Sequence, residues 1–403
     1  MVPDSVRPRT SFQHSAFHPV RGGHERRMHA LLEEFCRRGI DVSILTSVEG
    51  SGAGGWAPPD GVTMLSHPSA FTRAPRSALD PLLYANRVQK WLEERSDVPA
   101  PSLVLCFSYY YAIAAKRTWP RAQVWFLPGG AMWDWFNDLH AHRHYLVRLL
   151  LRPKRRLAVW AEGVAVRLAD RILVESTWLQ DRLASFHGRA LEEADVLPAP
   201  VDTARFRPSL EHRRAMRGEL GIDEDCALVL ALGRLDSRKN YTTLLRALPH
   251  LKSGNWRLVV VGHGPEQVDL QNLARGLGLG NRVLFAGPRD DPERVYAAAD
   301  IYCQPSLWES YSNALQEAVA SGLPCIVSKT NVNRDLQEGL NVLLADPTDP
   351  NEWAAKIDFL LQNPREASRM SAASRRFAEG RPSWSELTDW LLSEFARATT
   401  ACA

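Results

Sequence analysis

The 403-residue sequence is short of net charge: 49 Lys+Arg against 46 Asp+Glu leave +3, which makes no global case for binding nucleic acid. Its six cysteines (Cys36, Cys106, Cys226, Cys303, Cys325 and Cys402) include no CxxC pair and no metal-ligand spacing. Most lie in apolar runs and read as small, reduced core residues of a cytoplasmic protein. Long apolar segments are missing too. The longest, "LVLCFSYYYAIAA" (103–115), falls short of the ~20 residues that span a bilayer. The opening "MVPDSVRPRTSF" has no apolar h-region, so no secretory signal is expected. No short internal repeat is visible.

What is present is a length too great for one ordinary core, suited to two domains of about 150–200 residues. From 22 onward, "GGHERRMHALLEEFCRRGIDVSILTS" reads as a Gly-Gly turn, an amphipathic helix closed by Gly39, and a strand. Further β-rich runs follow at 102–107, 122–127 and 171–176, with a helical region predicted over 138–169 and a break at Pro153. The stretch "LPAPVDTARFRPS" (197–209), with its prolines and no periodicity, marks a linker. Beyond it helix and strand alternate regularly to about residue 345. The alternation predicts an α/β fold with parallel sheets covered on both faces. The expected division is 1–200, 201–380, and a last helix within 381–403. That helix carries Trp384, Leu387, Leu391 and Phe395 on one face and is expected to return toward the first domain.

Three strand-to-helix turns of the second half carry glycine or polar residues, and ligands of open α/β sheets bind beyond such strand ends. In "LGRLDSRKNY" (232–241), Gly233 allows close backbone approach, and Arg234 and Lys239 place two cations suited to a diphosphate. A solvated basic loop is the plainer alternative. In "VVVGHGPE" (259–266) the Gly-x-Gly suggests a dinucleotide fingerprint. Gln267 stands where its third glycine belongs, and the acid expected ~20 residues on is absent, which argues against a dehydrogenase.

The third turn is "WESYSNALQEAVASGLPC" (308–325). Asn313 through Gln316 resembles a capping box, so a helix is predicted from 313 to Gly322. Glu309 then precedes the helix, Glu317 lies in its first turns, and free N–H groups near Tyr311, Ser312 and Asn313 fall between them. Amides suit a phosphate, and each carboxylate accepts from vicinal hydroxyls. A diphosphate between two polyols is a nucleotide sugar.

These residues resemble the E-x7-E element of glycosyltransferase family 4, the retaining, nucleotide-sugar-dependent enzymes of the GT-B fold. The likeness covers 201–380 well, through the Gly-Arg…Lys element at 233–239, Val-Gly-x-Gly-Pro at 261–265, "VLFAG" at 283–287, "AAADIYCQPS" at 297–306 and "EAVASGLPCIVS" at 317–328. It is thinner in the first half, at 22–27, 36–46, 169–183 and 201–208. The resemblance implies two Rossmann-like domains facing across a crevice, with the acceptor bound mainly by the first and the donor by the second. It implies that Arg234 and Lys239 clamp the diphosphate, and that Glu309 and the following amides hold the sugar and phosphate. Glu317 would take the ribose, the backbone near Gly287 would meet the base, and Gly22-Gly23 would close over the donor. It further implies front-face attack with no metal and no cofactor beyond the nucleotide sugar as co-substrate. Asp223-Glu224-Asp225 lies in the wrong loop for a metal site and reads as solvated surface.

The sequence departs from the family where a histidine is usual after the strand at 122–127, and has Pro128-Gly129-Gly130 instead. The segment before Gly22 matches the family's apolar first strand poorly. A nucleotide-sugar-binding partner subunit without turnover, or an epimerase on the same fold, therefore stands beside the transferase reading. The "AMWDWFND" segment (131–138) follows a strand end, where Trp133, Asp134 and Trp135 are candidates for orienting an acceptor; anchoring of the loop to the core is the alternative. The basic, leucine-rich 147–160 suits either peripheral contact with an anionic membrane and a lipid-linked acceptor, or a solvated helix face.

Overall fold

The computed structural model describes residues 8–13, 23–47, 60–68, 80–95, 97–134, 151–188, 195–331 and 336–400. The chain forms two compact units, Met1–Ala199 with Trp384–Ala403, and Pro200–Ser383.

In the first unit the described strands are β1 (Thr10–Gln13), β2 (Val42–Ser47), β3 (Thr63–His67), β4 (Leu103–Cys106), β5 (Gln123–Phe126), β6 (Arg171–Val174) and β7 (Asp195–Val196). They form one sheet in the order β3-β2-β1-β4-β5-β6-β7, with every pair parallel. An interior strand of this sheet, β1, is the one whose sequence looked unsuitable. Thr10, Ser11, Phe12 and Gln13 are all buried. The polar residues are tolerated because an interior parallel strand spends its backbone donors and acceptors on both neighbours, while Gln13 bonds Ser11 within the strand. The long apolar stretch 103–115 divides at Ser108 into β4 and the helix Tyr109–Thr118. Pro153 stands at a helix start. It occupies the first turn of Arg152–Leu168, where its missing N–H costs nothing; 138–150 lie outside the described residues.

The last helix, Trp384–Thr400, belongs to this unit. Leu387, Leu391, Leu392 and Phe395 join Phe12, Met28, Leu31, Leu32 and Phe35 in one core cluster, so this helix packs beside the helix Gly23–Arg37. Arg38 donates to the Ser385 carbonyl at 2.9 Å and pairs with Asp389 at 3.0 Å, and Arg171 pairs with Glu394 at 2.5 Å.

The second unit contains β8 (Ala227–Leu232), β9 (Trp256–Val261), β10 (Val283–Gly287), β11 (Ile301–Gln304), β12 (Cys325–Ser328) and β13 (Val342–Ala345), parallel in the order β10-β9-β8-β11-β12-β13. Alternate residues of its strands feed two core clusters: Val229 and Ala231 join one, Leu228 and Leu230 the other. The sheet is thus covered on both faces. In each sheet the strand order reverses once, between β1 and β4 and between β8 and β11, and such a reversal opens a ligand crevice at the strand ends.

Candidate active site

In the second unit the turns that leave β8 and β11 meet at the reversal point. After Gly233 the chain makes a short 3-10 turn, Ser237–Lys239, capped by Asp236. Asn240 follows in the left-handed region, with φ 52°. That conformation is costly for a side-chain-bearing residue, and here it is fixed by tertiary bonds. The Asn240 amide donates to the Pro305 carbonyl at 3.1 Å and the Pro347 carbonyl at 2.7 Å, tying the turn after β8 to the turn after β11.

The same tie brings cations to Glu309. Lys239 Nζ donates to Oε1 at 2.5 Å, Arg238 Nη1 donates to Oε2 at 3.2 Å, and the Ser306 hydroxyl donates to Oε1 at 2.9 Å. Glu309 and Lys239 are both buried. Burial alone pushes the carboxyl up. The charges of Lys239 and Arg238, with the bonds from Lys239 and Ser306, outweigh it and hold Glu309 below the ordinary carboxylate range. Burial, reinforced by Glu309 and Asp236, pushes the neighbouring Tyr241 hydroxyl up and keeps it neutral.

Beyond Glu309 lies the helix Asn313–Ala320. Its cap is Ser312 rather than Asn313: the Ser312 hydroxyl accepts from Leu315 N at 3.3 Å. A short hydroxyl reaches back to the third amide, and this correction moves the N-terminal amides one residue earlier than the capping-box pattern suggested. Glu317 is buried on the first turns and accepts from the Tyr296 hydroxyl at 3.0 Å.

The structure therefore brings Lys239, Glu309, Ser312, Asn313 and Glu317 into one neighbourhood, with Tyr311 in the same turn. It adds Arg238 and Tyr296, which the sequence reading missed. Arg238 directly precedes Lys239 and was legible as a third cation of the loop; Tyr296 gave no signal. Arg234 is placed differently from Lys239. Its side chain is 69% exposed and pairs with Asp236 at 3.3 Å. Gly287 has φ 71° at the end of β10, and its carbonyl accepts from Gly262 N at 2.8 Å. Gly22 lies outside the described residues, and Gly23 opens the helix Gly23–Arg37.

The Gly-x-Gly at 262–264 has a packing cause. A Cβ on Gly262 would stand 1.9 Å from the Gly233 carbonyl oxygen, and one on Gly264 would stand 2.2 Å from that of Leu235. Both glycines let the turn after β9 lie against the turn after β8, where Leu235 N donates to the His263 carbonyl at 3.0 Å.

Two family models match the chain: "Glycosyltransferase Family 4" over residues 21–205 and "Glycosyl transferases group 1" over 212–377. The D-inositol 3-phosphate glycosyltransferases of Rhodococcus opacus and Xylanimonas cellulosilytica are each 31% identical to it. Their alignments cover 72% of this chain and, respectively, 68% and 71% of the relative. The chain belongs to glycosyltransferase family 4. The corresponding enzyme of Mycolicibacterium vanbaalenii is also 31% identical, and the match spans 66% of its length. Among solved structures, sucrose-phosphate synthase from Thermosynechococcus elongatus superposes with a TM-score of 0.78, at 19% identity over 98% of this chain and 99% of that one. Anabaena HepE in complex with UDP and glucose superposes with a TM-score of 0.75, at 19% identity over 96% of this chain and 99% of that one. These likenesses establish the GT-B fold for the family 4 chain.

The acceptor candidates of this family 4 chain lie in the first unit, where they are engaged with its own scaffold. Asp134 forms a two-point pair with Arg182 at 2.6 and 2.8 Å. Trp133 lies under the Arg155 guanidinium, 3.7 Å from its ring centre, and against Phe186. Behind them the buried Glu162 accepts from Met132 N at 3.1 Å and contacts His187 Nε2 at 3.0 Å. Burial pushes the Glu162 carboxyl up despite these bonds. Trp135 is outside the described residues. Of the basic segment 147–160, the described part exposes Arg152, Arg156 and Trp160 at helical spacing. Among the described residues, no helix is long and apolar enough to cross a membrane, and no group of three or more His, Cys, Asp or Glu side chains is placed to hold a metal ion.

Proposed function

We propose that the chain transfers a sugar from a nucleotide-diphosphate sugar to an acceptor hydroxyl, with retention of configuration and without a metal ion. The observation that carries this reading is the buried Glu309, held by Lys239 and Arg238 beside the N-terminus of Asn313–Ala320. In this reading the helix amides and the cations Lys239 and Arg234 take the diphosphate, and Glu317 takes the ribose hydroxyls. Positive charge fixed at that point stabilises the negative charge that grows on the leaving group. Glu309 positions the sugar. With three donors already on its oxygens and a depressed pKa, it is a poor nucleophile, which supports front-face attack over the two-carboxylate double displacement of glycosidases.

Three members of the same glycosyltransferase family carry a D-inositol 3-phosphate name, which makes a phosphorylated cyclic polyol the first acceptor to test. Exposed Arg152, Arg156 and Trp160 add a lipid-linked sugar acceptor in anionic vesicles as a second arm.

Radiolabelled UDP-, GDP- and ADP-sugars incubated with this acceptor panel should give labelled product, unaffected by EDTA. Glu309→Ala and Arg234→Ala should each lower turnover by about 100-fold. Donor binding without turnover would instead favour a partner subunit, as Pro128-Gly129-Gly130 allows, and an isomerised donor would favour an epimerase. Strict dependence on a divalent ion would overturn the metal-free mechanism.

A further inference from the structure

Gln304 ends β11 at the reversal point of the second sheet, and its side chain is buried against the start of Asn313–Ala320. Its Oε1 lies 2.5 Å from the Ser312 hydroxyl and 3.4 Å from the Tyr302 hydroxyl. The Ser312 oxygen already accepts from Leu315 N, so its proton goes to Gln304. The Tyr302 hydroxyl, kept neutral by burial, shares its one proton between Gln304 Oε1 and the Leu232 carbonyl at 3.5 Å. The short bond from Ser312 fixes the amide with its oxygen toward that hydroxyl and its NH2 turned away. That buried NH2 has no hydrogen-bond partner among the described residues. A buried donor left open in this way is exceptional in a folded protein.

We propose that Gln304 is a positioning residue for the nucleotide diphosphate, an inference that rests on the function proposed above. Its amide oxygen locks the Ser312 cap as an acceptor for Leu315 N, which leaves the preceding amides of the helix end aligned outward for phosphate. Its N–H edge, turned away from the cap, is left open. A neutral side chain bearing both an acceptor and donors satisfies the position. A carboxylate there opposes the anion, and an aliphatic chain releases the cap.

The test compares the full chain with Gln304→Glu and Gln304→Leu. Calorimetric titration with UDP, GDP and ADP at about pH 5.5 and 8.5 is paired with thermal unfolding. The groups around position 304 are Tyr302 on the same strand, Tyr241, Lys239 and Arg238 after β8, Cys325 on β12, and Glu309 and Glu317. Glu309 stays ionised, and Tyr302 and Tyr241 stay neutral, throughout that range. A change confined to Gln304→Glu therefore reports its own carboxyl. It should bind the preferred diphosphate at least about tenfold more weakly than the parent at pH 8.5, with the gap closing toward pH 5.5 as the new carboxyl regains a proton. Gln304→Leu should bind more weakly by a factor that does not change with pH. In turnover, both should raise KM for the donor more than they lower kcat.

Binding by Gln304→Glu within twofold of the parent at both pH values would overturn the proposal. So would equal, pH-independent losses in both variants that merely track a fall in melting temperature. If the parent chain binds none of the three diphosphates, the donor reading itself fails and this inference falls with it.

Discussion

Glu309 concentrates the chemistry of the second unit because opposing effects meet on one carboxyl: burial penalises its charge, and Lys239 and Arg238 more than restore it. A folded-state pKa held below the unfolded one contributes stability that is present above the unfolded value and is lost as pH falls through the folded value. The acid arm of unfolding should therefore be flatter in Glu309→Gln than in the parent. At neutral pH the variant should be less stable by roughly 3 kcal/mol, because Lys239 is left buried beside a neutral group. Urea midpoints at pH 7 and about pH 3.5 test both statements. Arg238 stands in direct contact with Glu309, whereas the exposed Arg234 pairs with Asp236. Arg238→Ala should accordingly lower transfer by about 10- to 100-fold in kcat, measured with saturating donor.

At the scale of elements, the site is a set of strand-end turns pressed together. The turns after β8 and β9 approach so closely that glycine is required at 262 and 264, and Asn240 bridges the turns after β8 and β11. Gly262→Ala should displace the Gly233–Leu235 segment, since the new methyl would overlap a backbone carbonyl. The expected result is a loss of about 3 kcal/mol or failure to accumulate as folded protein, seen in denaturant melts and soluble yield. The Gly-x-Gly that suggests a dinucleotide fingerprint is explained by this contact. It was legible as a special backbone, and its physical reason was not, because the partner carbonyl lies 29 residues away at Gly233. The E-x7-E pattern, the helix from 313 and the regular βα array were legible because each is local periodicity or spacing. Tyr296 and Gln304 were not, since their roles come from neighbours supplied by other strands and helices.

Across the whole molecule, the second unit is one continuous piece, Pro200–Ser383, inserted between the body of the first unit and its last helix. Each unit has core clusters of its own, and the helix Trp384–Thr400 completes one cluster of the first. Residues 200–383 expressed alone should give a cooperatively unfolding domain that UDP, GDP or ADP stabilises by ligand linkage. Residues 1–199 alone leave Phe12, Leu31 and Phe35 without Leu387, Leu391 and Phe395, and should be molten or aggregated. Supplying 384–403 through a short linker should restore a sharp transition. A stable 1–199 fragment would show that the last helix is dispensable to that core.

By itself, the sequence determined the alternation of strand and helix, the glycine-bearing turns, and the pair of glutamates that flank a helix start. Spacing along the chain is enough to encode those. Tertiary structure alone decided that polar Thr10–Gln13 forms an interior strand of the first sheet, because burial there depends on β2 and β4 closing on both sides. It also decided that Arg238 joins Lys239 on Glu309, and which core cluster of the first unit the last helix completes. Those outcomes depend on which surfaces meet across long stretches of chain, and no local pattern carries that information.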